Sequence, residues 1–315
     1  MNTWGPTRLA RRCAIALLTL LPLAAAQAQA QAPAKPYEPR LGQSGKDVMW
    51  LPSKENMVER LFQMGEVTRR DFVVDLGSGD GKIPIAAARL LGAHALGVEF
   101  NPNLVDFSRR RAAELGVDKL VEFRQADIFA TDYSKATVVT LYLLPELNVR
   151  LRPQLLKMKP GTRILSNSWD MQTWQPDETT EVGTTNGYLW IIPAHVAGNW
   201  RISYPARGTS LPQALELRQR FQKIDGNADF GSFKAVLADA RLRGSAISFA
   251  YRDARGDVIR FSGTADGDRI TGSAQGAKLG KVRFTADRTV APQPFEEGPP
   301  TQQETSDAIR SLGNQ

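Results

Sequence analysis

The stretch VVDLGSGDGKIPIAAARL, residues 73–90, constrains this chain more than any other part of it. An apolar pair leads into Asp75, glycines follow at alternate positions (Gly77, Gly79, Gly81), and an alanine-rich run comes next. Glycine reaches positive φ and lets backbone approach a ligand closely. A helix opening directly behind such a turn offers free N–H groups and a positive dipole end. The stretch therefore reads as a buried strand, a ligand-facing turn and a helix. Two common nucleotide loops do not fit. A triphosphate loop needs four residues between its first glycine and its Gly-Lys pair, then Ser or Thr. Here three residues separate Gly77 from Gly81, and Ile83 follows Lys82. A dinucleotide loop is Gly-x-Gly-x-x-Gly, and here the third glycine comes one residue early.

The surrounding pattern alternates strand and helix. Strands are expected at 72–76, 95–100, 121–125, 138–143 and 163–168, and helices at 56–64, 83–91, 102–115 and 147–156. Gly116 stands where a C-cap glycine stops the third helix. Such alternation implies a parallel sheet covered on both faces. Segments 179–182 and 188–192, joined by Thr185-Asn186-Gly187 with no helix between, are expected as an antiparallel edge. After residue 195 period two takes over, at 200–204, 215–221, 246–251, 258–261 and 281–285. Turn signals lie at Asp225-Gly226-Asn227, Arg255-Gly256-Asp257 and Asp266-Gly267-Asp268, and Gly244, Gly263 and Gly272 open look-alike segments that read as a weak hairpin repeat. An antiparallel sheet, sandwich or small barrel fits this half.

Acids recur at the strand ends. Asp75 precedes the first glycine by two, Glu99 ends the second strand, and Asp127 follows the third in QADIF. The spacing acid-x-Gly-x-Gly-x-Gly, with these later acids in order, resembles the class I S-adenosylmethionine methyltransferases. The resemblance implies a Rossmann-like, seven-stranded methyltransferase sheet with S-adenosylmethionine as cofactor. It places Asp75 at the ligand's ammonium, Gly77, Gly79 and Gly81 along its methionyl and ribose parts, and Glu99 at the ribose hydroxyls. Asp127 then meets the adenine amino group, with Ile128 against the ring.

A narrower resemblance covers about residues 48–192. VMWLPSKENMVERL, DLGSGDG followed by IAAA, and the acid-x-Asn-Pro box Glu99-Phe100-Asn101-Pro102 are similar to the ATP synthase c-subunit lysine methyltransferases and, more distantly, to the Dot1-like lysine methyltransferases. Asn101 joins the cofactor set on this basis. The fourth strand ends in Tyr142-Leu143-Leu144-Pro145, without the Asp/Asn-Pro-Pro-aromatic box that receives planar amino groups, which argues against DNA or glutamine methylation. Trp50, Pro52, Tyr142 and Pro145 are the substrate-side candidates, with Trp50 and Tyr142 able to frame an amine by cation–π contact; ordinary packing would account for the same rings. No catalytic base is assigned. The acceptor expected is a nitrogen nucleophile, first of all a protein lysine.

Composition narrows the partners. The 315 residues leave room for two domains of about 100–200 residues each. Of the net charge of +7, three positives (Arg8, Arg11, Arg12) lie in the first 30 residues, leaving 37 basic against 33 acidic groups. With no concentrated basic patch, a nucleic-acid partner is not expected. Cys13 is the only cysteine, and His94 and His195 match no ligand spacing, so no disulfide framework and no metal site are expected. The early arginines, an apolar run at 13–26 and small residues around Ala28 make a secretory signal pattern. The run is short for a membrane span. The expected organisation is a signal at 1–28, a linker at 29–48, a methyltransferase domain at 49–195, a smaller antiparallel all-β domain at 196–290 and a flexible tail at 291–315.

The expected location is periplasmic; an uncleaved signal would anchor the chain in the inner membrane, and a misassigned start codon would leave it in the cytoplasm. Because S-adenosylmethionine is a cytoplasmic metabolite, an alternative stands beside the enzyme: an exported, non-catalytic binding protein on the same scaffold, with the β domain holding an envelope component. The export reading is checked by a reporter fused after residue 45. It is expected to be active outside the cytoplasm, and activity only inside the cytoplasm overturns it.

Overall fold

The computed structural model describes residues 37–46, 49–204 and 211–290. The signal and tail expected from the sequence lie outside these residues. Helix α1 (Glu55–Met64) leads into β1 (Phe72–Leu76), α2 (Lys82–Leu91), β2 (His94–Glu99), α3 (Pro102–Glu114), β3 (Val121–Gln125), β4 (Val138–Leu141), α4 (Pro145–Leu155) and β5 (Arg163–Asn167). The hairpin β6 (Glu178–Val182) and β7 (Thr185–Ile191) completes a seven-stranded sheet of order β3-β2-β1-β4-β5-β7-β6. The first five strands run parallel, and β7 is antiparallel to both β5 and β6. The central strands β1 and β4 are buried almost throughout because both faces are covered, whereas the edge strands β3 and β6 carry exposed polar residues. Val73 and Val138 pack on the α1–α3 side, while Val74, Leu76, Val139 and Leu141 pack on the α4 side with Trp174 and Trp190.

Most expected elements appear within a residue or two. Gly116 does stop α3: at φ +69 it follows the cap residue Leu115, its N–H donates to the Ala113 carbonyl, and Val117 N–H donates to Ala112. This is a Schellman closure. Two turn expectations fail. The β6–β7 turn is Gly183-Thr184, since Val182 pairs with Thr185. Gly187 instead lies inside β7, paired with Asn167 and Thr180, where a Cβ would stand 2.9 Å from Leu61 Cδ2 of α1. Asp225-Gly226-Asn227 also lies inside a strand, where a Cβ on Gly226 would fall 1.9 Å from the Glu216 carbonyl oxygen.

The second sheet has nine strands, more than the alternation shows. They are β8 (Gly198–Ser203), β9 (Ala214–Arg220), β10 (Lys223–Asp229), β11 (Lys234–Val236), β12 (Ala238–Arg243), β13 (Ala246–Arg252), β14 (Val258–Asp266), β15 (Arg269–Gly276) and β16 (Gly280–Arg288). All its pairings are antiparallel, and it curls toward closure. Leu237 N–H donates to the Gly226 carbonyl at 3.0 Å, and Phe230 meets Tyr251 edge-on across the same seam. Phe249, Phe261 and Phe284 fill the interior. Gly263 and Gly272 are not repeat openers: they face each other within β14 and β15.

The two sheets are joined by a buried aromatic contact. Fully buried Trp174 stacks on Phe221 at 5.4 Å and donates from Nε1 to Gln222 Oε1 at 2.9 Å. Phe221 and Gln222 form the β9–β10 turn, with Phe221 at φ +53. Trp174→Ala is expected to cost about 3–5 kcal/mol. It is also expected to split one melting transition into two, measured by calorimetry.

Candidate functional site

The order of the first sheet reverses between β1 and β4, and open α/β sheets leave a crevice at the carboxyl ends of such neighbours. Here the crevice lies between the loops after β1 and β4 and extends past the end of β2. It encloses about 870 Å³ counting its mouth, and its lining includes Asp75, Gly77, Gly79, Glu99, Asp127, Ile128 and Tyr142.

The glycine loop is shaped by its neighbours. Gly77, Gly79 and Gly81 all hold positive φ. A Cβ on Gly79 would stand 2.4 Å from Trp50 Nε1, so the indole closes directly over the loop backbone. Gly81 lies outside the lining; it caps α2 in the left-handed region, where a Cβ would meet Phe123 Cζ at 2.6 Å. Glu99 fixes this loop from the neighbouring strand. Its Oε2 accepts the Gly79 N–H at 2.9 Å and its Oε1 accepts the Asn101 N–H at 2.8 Å. Each oxygen keeps a lone pair for a ligand hydroxyl.

Asp75 is nearly inaccessible at 3 % exposure, and Thr140 donates to its Oδ1 at 2.6 Å. Burial pushes its carboxyl up to about 7, helped by the charges of Asp80 and Glu99 and opposed by the Thr140 hydrogen bond. A ligand ammonium beside it would restore the ionised form. Asp127 sits at the open end. Lys46 Nζ donates to its Oδ2 at 2.6 Å and Phe129 N–H to its Oδ1 at 2.9 Å, and these bonds hold its carboxyl below the usual range.

Not every sequence candidate reaches the crevice. Asn101 caps α3, accepting the Asn103 N–H at 3.0 Å. Pro145 is buried as the first residue of α4, where its missing N–H has no helical partner to lose. Pro52 is also outside the lining, as are His94 and His195. Residues 37–46, read as linker, instead lie against the first sheet: Arg110 donates to the Tyr37 carbonyl, and Lys46 reaches Asp127. Sequence reasoning missed Lys46 and Phe100 at the mouth, and Ser53, Asp80 and Lys82 beside the loop. Lys82 Nζ donates to the Ser53 carbonyl and Arg111 pairs with Asp80 at 2.8 Å, contacts between segments far apart in sequence.

A family model described as the ANTKMT methyltransferase domain matches residues 75–178, from the acid of β1 to the start of β6. A protein-lysine N-methyltransferase of Saccharolobus islandicus is 36% identical over 154 residues, covering 47% of this chain and 96% of that protein. The chain belongs to the protein-lysine N-methyltransferase family. The mouse ATP synthase c-subunit lysine N-methyltransferase is 35% identical over 46% of this chain and 58% of its own length, so the chain spans less than two thirds of that relative. A solved Salinibacter ruber RNA methyltransferase in complex with S-adenosyl-L-homocysteine is 46% identical, over 46% of this chain and 96% of that one, with a TM-score of 0.46. The cofactor of this methyltransferase is S-adenosylmethionine, and the crevice suits it: a glycine loop with no room for a Cβ, and a buried acid that is paired with no cation among the described residues.

Asp75 also sets a stability test. Its folded-state carboxyl titrates above the unfolded value of 3.8, so its contribution is fully present below pH 4 and is lost as pH rises through about 7. Asp75→Asn removes that loss. The variant is expected to melt at the same temperature as the parent near pH 4 and higher than the parent at pH 8, measured without cofactor.

Proposed function

We propose that the protein transfers a methyl group from S-adenosylmethionine to the ε-amine of a lysine on a protein substrate. The observation that carries this reading is the gathering of Asp75, the left-handed glycine loop, Glu99 and Asp127 around one crevice. The protein-lysine methyltransferases among its relatives favour lysine as the acceptor.

When bound, the cofactor supplies a methyl group on a sulfonium, which leaves without protonation. Asp75 would hold the ammonium of its methionyl part, Glu99 its ribose hydroxyls, and Asp127 with Ile128 its adenine. Asp127 would meet the base amino group with the lone pairs that Lys46 and Phe129 leave on its oxygens. The protein then has to hold the amine in line with the methyl and exclude water. Leu104, Leu143 and Leu147 give the crevice an apolar wall for that purpose. Lysine must react in its neutral form, and its free pKa is about 10.4. Apolar surroundings and the sulfonium charge both favour loss of its proton. A dedicated base is therefore not needed, and Glu99, held by two backbone N–H groups, is a positioning acceptor.

Methyl-labelled cofactor incubated with the full chain and host protein fractions is expected to label lysine side chains, at a rate that rises with pH from 7 to 9. Glu99→Ala is expected to weaken cofactor binding about tenfold or more. Label recovered in RNA instead of protein, or cofactor binding with no transfer to any acceptor, overturns the lysine reading.

A further inference from the structure

A second cavity adjoins the cofactor crevice. It counts about 960 Å³ with its mouth and shares Met49, Leu51, Tyr142 and Leu143 with the crevice. Its remaining walls are Leu144, the Ser168-Trp169 turn after β5, and Thr184, Thr185 and Asn186 at the β6–β7 hairpin tip. None of these residues is charged. Met49 and Leu51 stand 65% and 48% exposed where the two spaces meet, an apolar rim shared by both.

The Ser168-Trp169 turn is held by an unusual number of bonds. Ser168 holds φ +70, a conformation that costs a non-glycine residue roughly 1–3 kcal/mol and persists only where its surroundings over-determine it. Those surroundings are present. Ser168 N–H donates to the Asn186 carbonyl at 2.8 Å, tying the turn to the hairpin tip. Its Oγ donates to Asn167 Oδ1, and Asn167 Nδ2 donates to Ser53 Oγ beside the cofactor loop. The Trp169 carbonyl accepts from Ser166 Oγ at 2.6 Å and from buried Asn148 Nδ2 at 3.2 Å. Trp169 is thus held through its backbone, its carbonyl by Ser166 and Asn148 and its N–H by the Asn167 carbonyl, and this partly buried residue lines the cavity. Trp50 is placed differently. Its indole lies on Gly79 within the cofactor crevice and takes no part in the second cavity.

We propose that the acceptor amine reaches the methyl through this second cavity, with Trp169 and Tyr142 as its aromatic walls and Ser168 as the positioning residue that aims Trp169. The inference rests on the methyltransferase reading and names the acceptor side of the same site. An alkylamine chain fits such a space: aromatic faces attract its head by cation–π contact, and uncharged walls provide no carboxylate to hold it protonated.

The test uses two probes and needs no knowledge of the natural acceptor. One is S-adenosylhomocysteine. The other is an analogue in which a nitrogen replaces the sulfur and carries a four-carbon aminoalkyl arm, which must enter whichever space adjoins the methyl position. Calorimetry on the full chain is expected to show the arm tightening binding by about tenfold. Trp169→Ala should remove that gain and Trp169→Phe keep it, both with S-adenosylhomocysteine affinity unchanged. Ser168→Gly, which suits the left-handed backbone, should keep the gain and Ser168→Val should lose it. Trp50→Ala should weaken both probes together. An arm that adds nothing, or a gain that survives Trp169→Ala, overturns the inference alone. No binding of S-adenosylhomocysteine at all overturns the methyltransferase reading and the inference with it.

Discussion

The carboxylate of Glu99 holds the end of one strand to the turn after its neighbour, and the crevice depends on that bond. The Gly79 N–H it accepts belongs to a loop whose left-handed glycines leave several donors without helical partners. Its second oxygen takes the N–H of Asn101, the cap of α3. One side chain thereby sets the loop, the start of the next helix and the spacing between them. With the loop fixed, Trp50 can lie on Gly79 and Phe123 against Gly81, contacts that any side chain at either glycine would displace.

The crevice carries an electrostatic cost that its ligand relieves. Asp75 is buried with a single hydroxyl donor, and its carboxyl is pushed up to about 7. In a region built only for stability, an amide or an apolar residue would serve better. An acid in that position makes sense when a cation completes it, and the sequence places that acid two residues ahead of the glycine loop. Asp127 shows the opposite arrangement: Lys46 already pairs with it at the open end, so a ligand there meets a carboxylate whose charge is partnered.

Several features were legible because they are local. A buried strand, a glycine turn and a helix follow one another within residues 73–90, and each leaves its own periodicity or composition. Gly116 worked as a helix stop for the same reason. The turn signals that failed did so through distant contacts. Asn186-Gly187 reads as a turn, yet Gly187 is paired between β5 and β6, under a helix that leaves no room for a Cβ. Asp225-Gly226-Asn227 reads as a turn, yet the crossing of β9 so close to Gly226 requires a glycine within the strand. The extra strands of the second sheet, β10, β11, β12 and β15, are polar and short or rich in glycine, so alternation alone did not reveal them.

The sequence by itself determined the order of the chemistry: an acid and a glycine loop, then an acid at each of the next two strand ends. That order follows from chain connectivity, since each acid ends a strand or begins the loop beyond it. Only the tertiary structure decided which of the neighbouring residues share the crevice. Asn101 and Pro145 turned to the helices they begin, because the first turn of a helix claims a cap and a residue without an N–H. Trp169 carried no signal in the sequence, because the contacts that hold its turn come from Asn148 and Ser166 on the Trp169 carbonyl and from Asn186 on the Ser168 N–H, on three different elements. Side-chain direction at such a turn is fixed by packing across the sheet, which no linear spacing encodes.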